Sequence, residues 1–103
     1  MTKKILKDFR RLGRQEDVDD PIVVCRFFTP FNRWSWYPIS FDEEAEVFFG
    51  LVDGIEVEWG SFALEDLEAC RDHRELLIDR DKYFKQAPIS VIQRQIKGRC
   101  MML

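Results

Sequence analysis

Val47-Phe-Phe-Gly-Leu-Val-Asp-Gly-Ile-Glu-Val-Glu-Trp59 is the stretch that decides how this chain folds. Two apolar runs flank an Asp-Gly pair, the strongest short-range signal for a β-hairpin closed by a two-residue type I′ turn. The second run alternates strictly, Ile55, Val57 and Trp59 against Glu56 and Glu58, so it presents one apolar and one acidic face. A two-residue turn at Asp53-Gly54 sets Val52 opposite Ile55, Gly50 opposite Val57 and Phe48 opposite Trp59 on one side. Leu51 then meets Glu56, and Phe49 meets Glu58, on the other. The first strand is apolar on both faces and reads as central, while the second belongs nearer solvent.

The hairpin sits inside an acidic block. Residues 34–70 carry ten acidic side chains and no Lys or Arg. Residues 1–33 hold eight basic and five acidic side chains, and residues 71–103 hold eight basic and four acidic. The net charge of −3 therefore conceals segments of +3, −10 and +4. Such runs can simply solvate faces and cancel between neighbouring elements; segregation on this scale also suits an acidic surface that meets a basic partner.

Working outward, residues 2–12 read as an amphipathic helix with Ile5, Leu6, Phe9 and Leu12 at helical spacing, ended by Gly13. Gln15 to Asp20 is an acidic loop closed by Pro21. Ile22 to Phe28 reads as one strand, and Trp34 to Phe41 as another whose Pro38 argues for an edge position or a bulge. Phe62 to Arg71 reads as a helix with Leu64, Leu67 and Cys70 inward, and Leu76 to Ile78 as a short strand. Pro88 opens a last helix with Ile89, Ile92 and Ile96 inward, Arg94 and Lys97 outward, and Gly98 as its stop.

The expected class is α+β: an antiparallel sheet of about four strands packed with two to three helices. One domain over residues 1–103 is expected, divided into a basic helix (1–14), a sheet (22–62), a helix (63–72) and a C-terminal helix (88–98). The longest uncharged run, Trp34 to Phe41, is far short of the roughly 20 residues that span a bilayer, so no membrane association is expected. The first residues lack the apolar stretch of a signal peptide, and the three cysteines, Cys25, Cys70 and Cys100, form no close pair. A cytoplasmic location with reduced thiols is the expectation.

Arg26-Phe-Phe-Thr-Pro30, Trp34-Ser-Trp-Tyr37, Phe48-Phe-Gly-Leu-Val52, Gly54, Glu58, Gly60, Phe62, Leu64, Leu67 and Ile78-Asp-Arg-Asp81 follow one another in an aromatic-rich order. In that order the chain resembles a small bacterial family, Domain of Unknown Function 2958, over residues 22–92. It departs from the family pattern at Arg26, where Lys is usual, at Trp59-Gly-Ser61 in place of Leu-Gly-Tyr, at Ala63 in place of a capping Ser, and at Asp79 in place of Glu. The resemblance implies a context of plasmids, conjugative elements and phages, beside DNA-processing and antirestriction functions. It implies no reaction.

Residue chemistry points away from catalysis. A single His73 and scattered cysteines lack zinc-site spacing, and the glycines lie in strands and turns, in no phosphate-binding loop. Cys25, mid-strand, reads as a buried inert thiol. Glu56 and Glu58, roughly 7 Å apart on one strand face, match a glycosidase-like carboxylate pair in spacing, but alternation alone produces that spacing. Arg80, between Asp79 and Asp81, reads as a buried fork pairing with Glu58 or Asp53 or as part of an exposed loop, and its apolar bracket favours the structural ion pair. Phe27, Phe31, Trp34, Trp36, Tyr37 and Phe41 lie near Arg26 and Arg33, a composition that nucleic-acid platforms share with hydrophobic cores.

The functional expectation is a small non-catalytic binding protein without cofactor or metal. Glu44, Glu46, Glu56 and Glu58, with Trp34, Trp36 and Arg80, would engage a protein partner with a basic surface, such as a DNA-handling or host-defence enzyme. The alternative is direct nucleic-acid binding through Lys3, Lys4, Lys7, Arg10, Arg11 and Arg14 at the N-terminus and Arg94, Lys97 and Arg99 at the C-terminus. A cleft enzyme built on Trp34, Trp36, Glu58 and Arg80 is the third reading. Oligomeric state is not legible from these residues.

Overall fold

The computed structural model describes residues 2–29, 34–67 and 78–101. In chain order these form α1 (Lys3–Leu12), β1 (Ile22–Val23), β2 (Phe27–Phe28), β3 (Ser35–Asp42), β4 (Val47–Asp53) and β5 (Val57–Ala63). A helical stretch at residues 64–67 (α2) follows, then β6 (Asp79–Arg80), β7 (Ala87–Pro88) and α3 (Ile89–Met101). The expected α+β class holds. An antiparallel five-stranded sheet runs β5-β4-β3-β2-β6, and a two-stranded sheet pairs β1 with β7.

Helices cover both faces of the larger sheet. On one face α1 sets Ile5 and Phe9 against Phe27, Phe48, Val24 and Leu67. On the other, α3 sets Ile89, Ile92 and Ile96 against Tyr37, Ile39 and Leu51. Phe48 is fully buried and touches four rings, those of Phe9, Phe27, Phe41 and Phe62. The strand expected to be central is therefore covered on both faces, and its hairpin partner β5 is the edge.

Local chemistry accounts for the ends of these elements. Thr2 caps α1, its Oγ1 accepting from the Ile5 N–H, and Gly13 at φ 67° ends it. Gln15 also has a positive φ, 58°. Its buried carboxamide donates to the carbonyls of Ile22 (2.9 Å) and Ile39 (2.7 Å) and accepts from the Ile22 N–H (2.7 Å). That residue ties the loop after α1 to β1 and β3. Asp20 caps α3 from a distance in sequence, accepting from the Ser90 N–H and Oγ–H.

Several expectations are corrected. Ile22 to Phe28 forms two short strands in different sheets, because Val24 N–H donates to the Pro38 carbonyl while residues 24–26 cross between them. Pro38 lies in the middle strand of five, which excludes the edge alternative; a bulge between Pro38 and Ser40 accommodates it. Gly98 does not stop the last helix, which runs on to Met101, since one glycine costs only about 1 kcal/mol in a helix. Pro88 precedes that helix as part of β7. β5 extends to Ala63, so helical structure begins at residue 64. The expectations for Cys70, Arg71, His73, Arg74, Leu76, Leu77, Phe31 and Arg33 lie outside the described residues.

The hairpin register is the correction with the largest consequence. Asp53 stays in the ladder, buried, opposite Ser35 on β3 and Val57 on β5, so the loop comprises Gly54, Ile55 and Glu56. Phe48 faces Phe62, and Trp59 faces Leu51. Relative to a two-residue turn the pairing slips by three residues, an odd number, and every β5 side chain changes face. Gly54 does not take a positive φ. A Cβ there would lie 2.6 Å from the Trp34 ring, so close approach of that ring is what requires glycine.

Candidate functional site

Phe49 and Trp59 are brought together by this register on the α3 face of the sheet, beyond the strip that α3 covers. Their rings stack, with centroids 5.8 Å apart and planes at 17°. Both stay substantially exposed, Phe49 at 41% and Trp59 at 43%, with Val57 at 46% beside them and Ile55 at 92% on the adjoining loop. Solvated apolar area carries a free-energy cost of about 25 cal/mol per Å², so an aromatic and aliphatic strip on the outermost described strand favours being covered.

The rim of this strip is acidic. Glu44 and Glu46 lie in the β3–β4 turn, Glu56 in the β4–β5 loop, and Glu58 on β5, all exposed. Glu65 and Asp66 are exposed just past the end of β5, where the Leu64 N–H donates to the Glu46 carbonyl. Two other acids of the turn are engaged. Glu43 takes a two-pronged hydrogen bond from Arg10 (2.6 and 2.9 Å), which holds its carboxyl below the ordinary carboxylate range. Asp42 lies 4.0 Å from Arg14 and its Oδ1 accepts from the Glu44 and Ala45 N–H groups. Among the described residues, Glu44, Glu46, Glu56 and Glu58 lie in no ion pair.

The four acids do not share one face. Glu44 and Glu46 are separated from Glu56 by the length of β4, roughly 20 Å. Glu58 pairs with Val52 on the α1 face, opposite to Trp59. They converge only on the outer edge of β5, which they flank from both ends and one side. Among the described residues the strand has β4 as its one neighbour in the sheet.

The aromatic and basic members of the expected site fall elsewhere. Trp36 is half-buried against the α1-face core, and Trp34 packs on Trp36 (centroids 6.0 Å) and over Gly54. Arg80, on β6, lies four strands from Glu58, about 19 Å across the sheet, so no ion pair with Glu58 or Asp53 forms. The ion pair of that triplet is instead Asp81 with Arg26 (3.1 Å), whose guanidinium also donates to Ser35 Oγ and lies over the Phe28 ring. Cys25 is buried, and burial pushes its thiol up to about 12, against the opposing field of Arg80.

The basic segments are likewise divided by the sheet, α1 on one face and α3 on the other. Arg10, Arg11 and Arg14 face carboxylates of Glu43, Asp8, Glu16 and Asp42, whereas Lys3, Lys4, Lys7, Arg94 and Lys97 are exposed. The side chain of Arg99 lies outside the described residues. Sequence reading missed the Phe49–Trp59 pair because register parity, not composition, decides which face Trp59 occupies. The structure pairs Asp53 with Ser35 across β3 and β4, which holds Asp53 out of the turn and sets that parity.

No helix among the described residues is long and apolar enough to cross a membrane. No curated protein and no solved structure matches the chain. A family model does, over residues 1–99 of the 103: the chain belongs to the family described as protein of unknown function (DUF2958).

Proposed function

We propose that this protein is a non-catalytic binding module that docks a protein partner on the outer edge of β5. The observation that carries the reading is the exposed Phe49–Trp59 stack, bordered by Val57 and by acids that lie in no ion pair among the described residues. A partner of complementary chemistry presents an apolar pocket ringed by Lys or Arg. Large aromatic side chains are the usual energetic centres of such interfaces, and rim charges set encounter rate and partner choice. The genomic context implied by the family resemblance makes a DNA-handling or host-defence enzyme the partner class, because a phosphate-binding surface is already basic and clustered carboxylates can occupy it.

Capture from nuclease-treated bacterial lysate tests this. The native chain should retain a protein partner that a Phe49→Ala/Trp59→Ala variant and a Glu44/Glu46/Glu56/Glu58→Gln variant both lose, with circular dichroism unchanged. Retention by both variants sinks the reading. The alternative, direct nucleic-acid binding through the exposed lysines of α1 and the basic groups of α3, predicts capture that disappears with nuclease and survives both variants.

A further inference from the structure

At the edge of the sheet opposite β5, a cleft of about 710 Å³ opens between the start of α1, the Val24-Cys25 segment, β6 and the loop that follows it. Four cations line it, Lys4, Arg80, Lys82 and Lys85, against two carboxylates, Asp8 and Asp81. Both carboxylates are occupied. Asp8 accepts from Gln86 Nε2 (2.8 Å) and lies 3.7 Å from Arg11. Asp81 is bonded to Arg26 (3.1 Å) and caps the Tyr83 N–H (3.0 Å). Among the described residues none of the four cations lies in an ion pair. The cleft therefore holds a surplus of positive charge that its own acids do not neutralise.

We propose that this cleft binds a phosphorylated small molecule of nucleotide size. The cations come from three elements, α1, β6 and the loop after it, and line the same cleft. A phosphate monoester, with three oxygens and close to two charges, can engage several cations at once, whereas one guanidinium fork satisfies a carboxylate. The floor is apolar, formed by Ile5, Val24, Cys25 and Phe84, and suits a base or other flat body. The volume lies within the roughly 300–1,000 Å³ typical of small-molecule sites. The walls are preorganised, since Gln86 bridges the loop to α1 and the Phe84 N–H donates to the Asp81 carbonyl (3.3 Å). The sequence also breaks a local rule here: the first turn of α1 carries Lys3 and Lys4 and no acid, where the helix dipole disfavours cations. A bound anion removes that penalty.

Isothermal titration of the full chain at low salt tests the site with adenosine 5′-monophosphate, adenosine, inorganic phosphate and a series of short single-stranded oligonucleotides. The nucleotide should bind saturably at one per chain, phosphate should compete with it, and adenosine should bind at least about tenfold more weakly. A Lys82→Gln/Lys85→Gln variant, changed at two exposed positions, should lose about tenfold or more in nucleotide affinity while its thermal midpoint stays put. Arg80→Lys, which keeps the charge but not the fork, should fall between the two. Adenosine binding as tightly as its phosphate, an unaffected double variant, or no saturable heat with any phosphate would each overturn the proposal. Affinity that climbs with every nucleotide added to an oligonucleotide would overturn it too, in favour of a polymer backbone.

Discussion

A methyl group added at Gly50 would sit 2.2 Å from the Tyr37 carbonyl oxygen and 2.6 Å from Pro38 Cα, both backbone atoms that cannot swing aside. Gly50→Ala should therefore destabilise by more than about 3 kcal/mol, or leave no folded protein, in a urea titration. Gln15 acts at the same scale through hydrogen bonds. Truncating its buried carboxamide orphans the Ile22 N–H and the Ile22 and Ile39 carbonyls together. Gln15→Ala should cost about 2–4 kcal/mol by the same titration, although the residue stands in a loop. Neither role is legible in the sequence. Gly50 reads as an ordinary strand glycine, and Gln15 as one more polar loop residue, until β3 is known to lie against both. What is legible at this scale is what depends on immediate neighbours alone: Gly13 as the end of α1, Cys25 as a buried thiol, and the isoleucines of α3 as its inward stripe.

At the scale of elements, α1, β3, β4, β5 and α3 are recognisable from periodicity, and the buried residues of α1 and α3 lie on the expected faces, whereas those of β5 do not. Pairing was less recoverable, because register is fixed by long-range contacts that periodicity does not encode. The hairpin shows this sharply: Asp-Gly chemistry suits a tight turn, but burial of Asp53 opposite Ser35 and the Trp34 ring over Gly54 outweigh it. Capping of α3 by Asp20 is a second long-range link. Hydrogen bonds from the Ser90 hydroxyl and amide hold the Asp20 carboxyl below its ordinary value of 3.8. A carboxyl depressed in the folded state adds stability that is complete above its unfolded pKa and is lost as pH falls through the folded one. Asp20→Asn should accordingly lower the thermal midpoint at neutral pH, and native and variant midpoints should converge as pH falls below the ordinary carboxylate range. A gap that persists unchanged in acid would show that the carboxylate's charge is not what caps the helix.

Over the whole molecule, charge segregation along the sequence survives in three dimensions in altered form. The sheet separates the two basic helices, and part of the acidic block is neutralised by Arg10 on α1 and Arg14 just after it. What remains is an acidic, aromatic edge at β5 and a basic cleft beside β6, at opposite ends of one sheet. The acids of the first edge were legible because they are abundant and uninterrupted. The aromatic centre was not, because Trp34 and Trp36 are half-buried while Trp59, expected opposite Phe48, pairs with Leu51 on the other face and stays exposed. Phe49 and Trp59 are both more than a third exposed, so replacing both by Ala should change unfolding free energy little, by about 1 kcal/mol at most, while removing the docking centre. The most direct test of the docking claim is amide hydrogen exchange of the chain alone and with its captured partner. The account predicts new protection concentrated in residues 55–63 and the adjoining β3–β4 turn. Protection that instead falls on α1 and α3, with β5 exchanging as in the free chain, would contradict it.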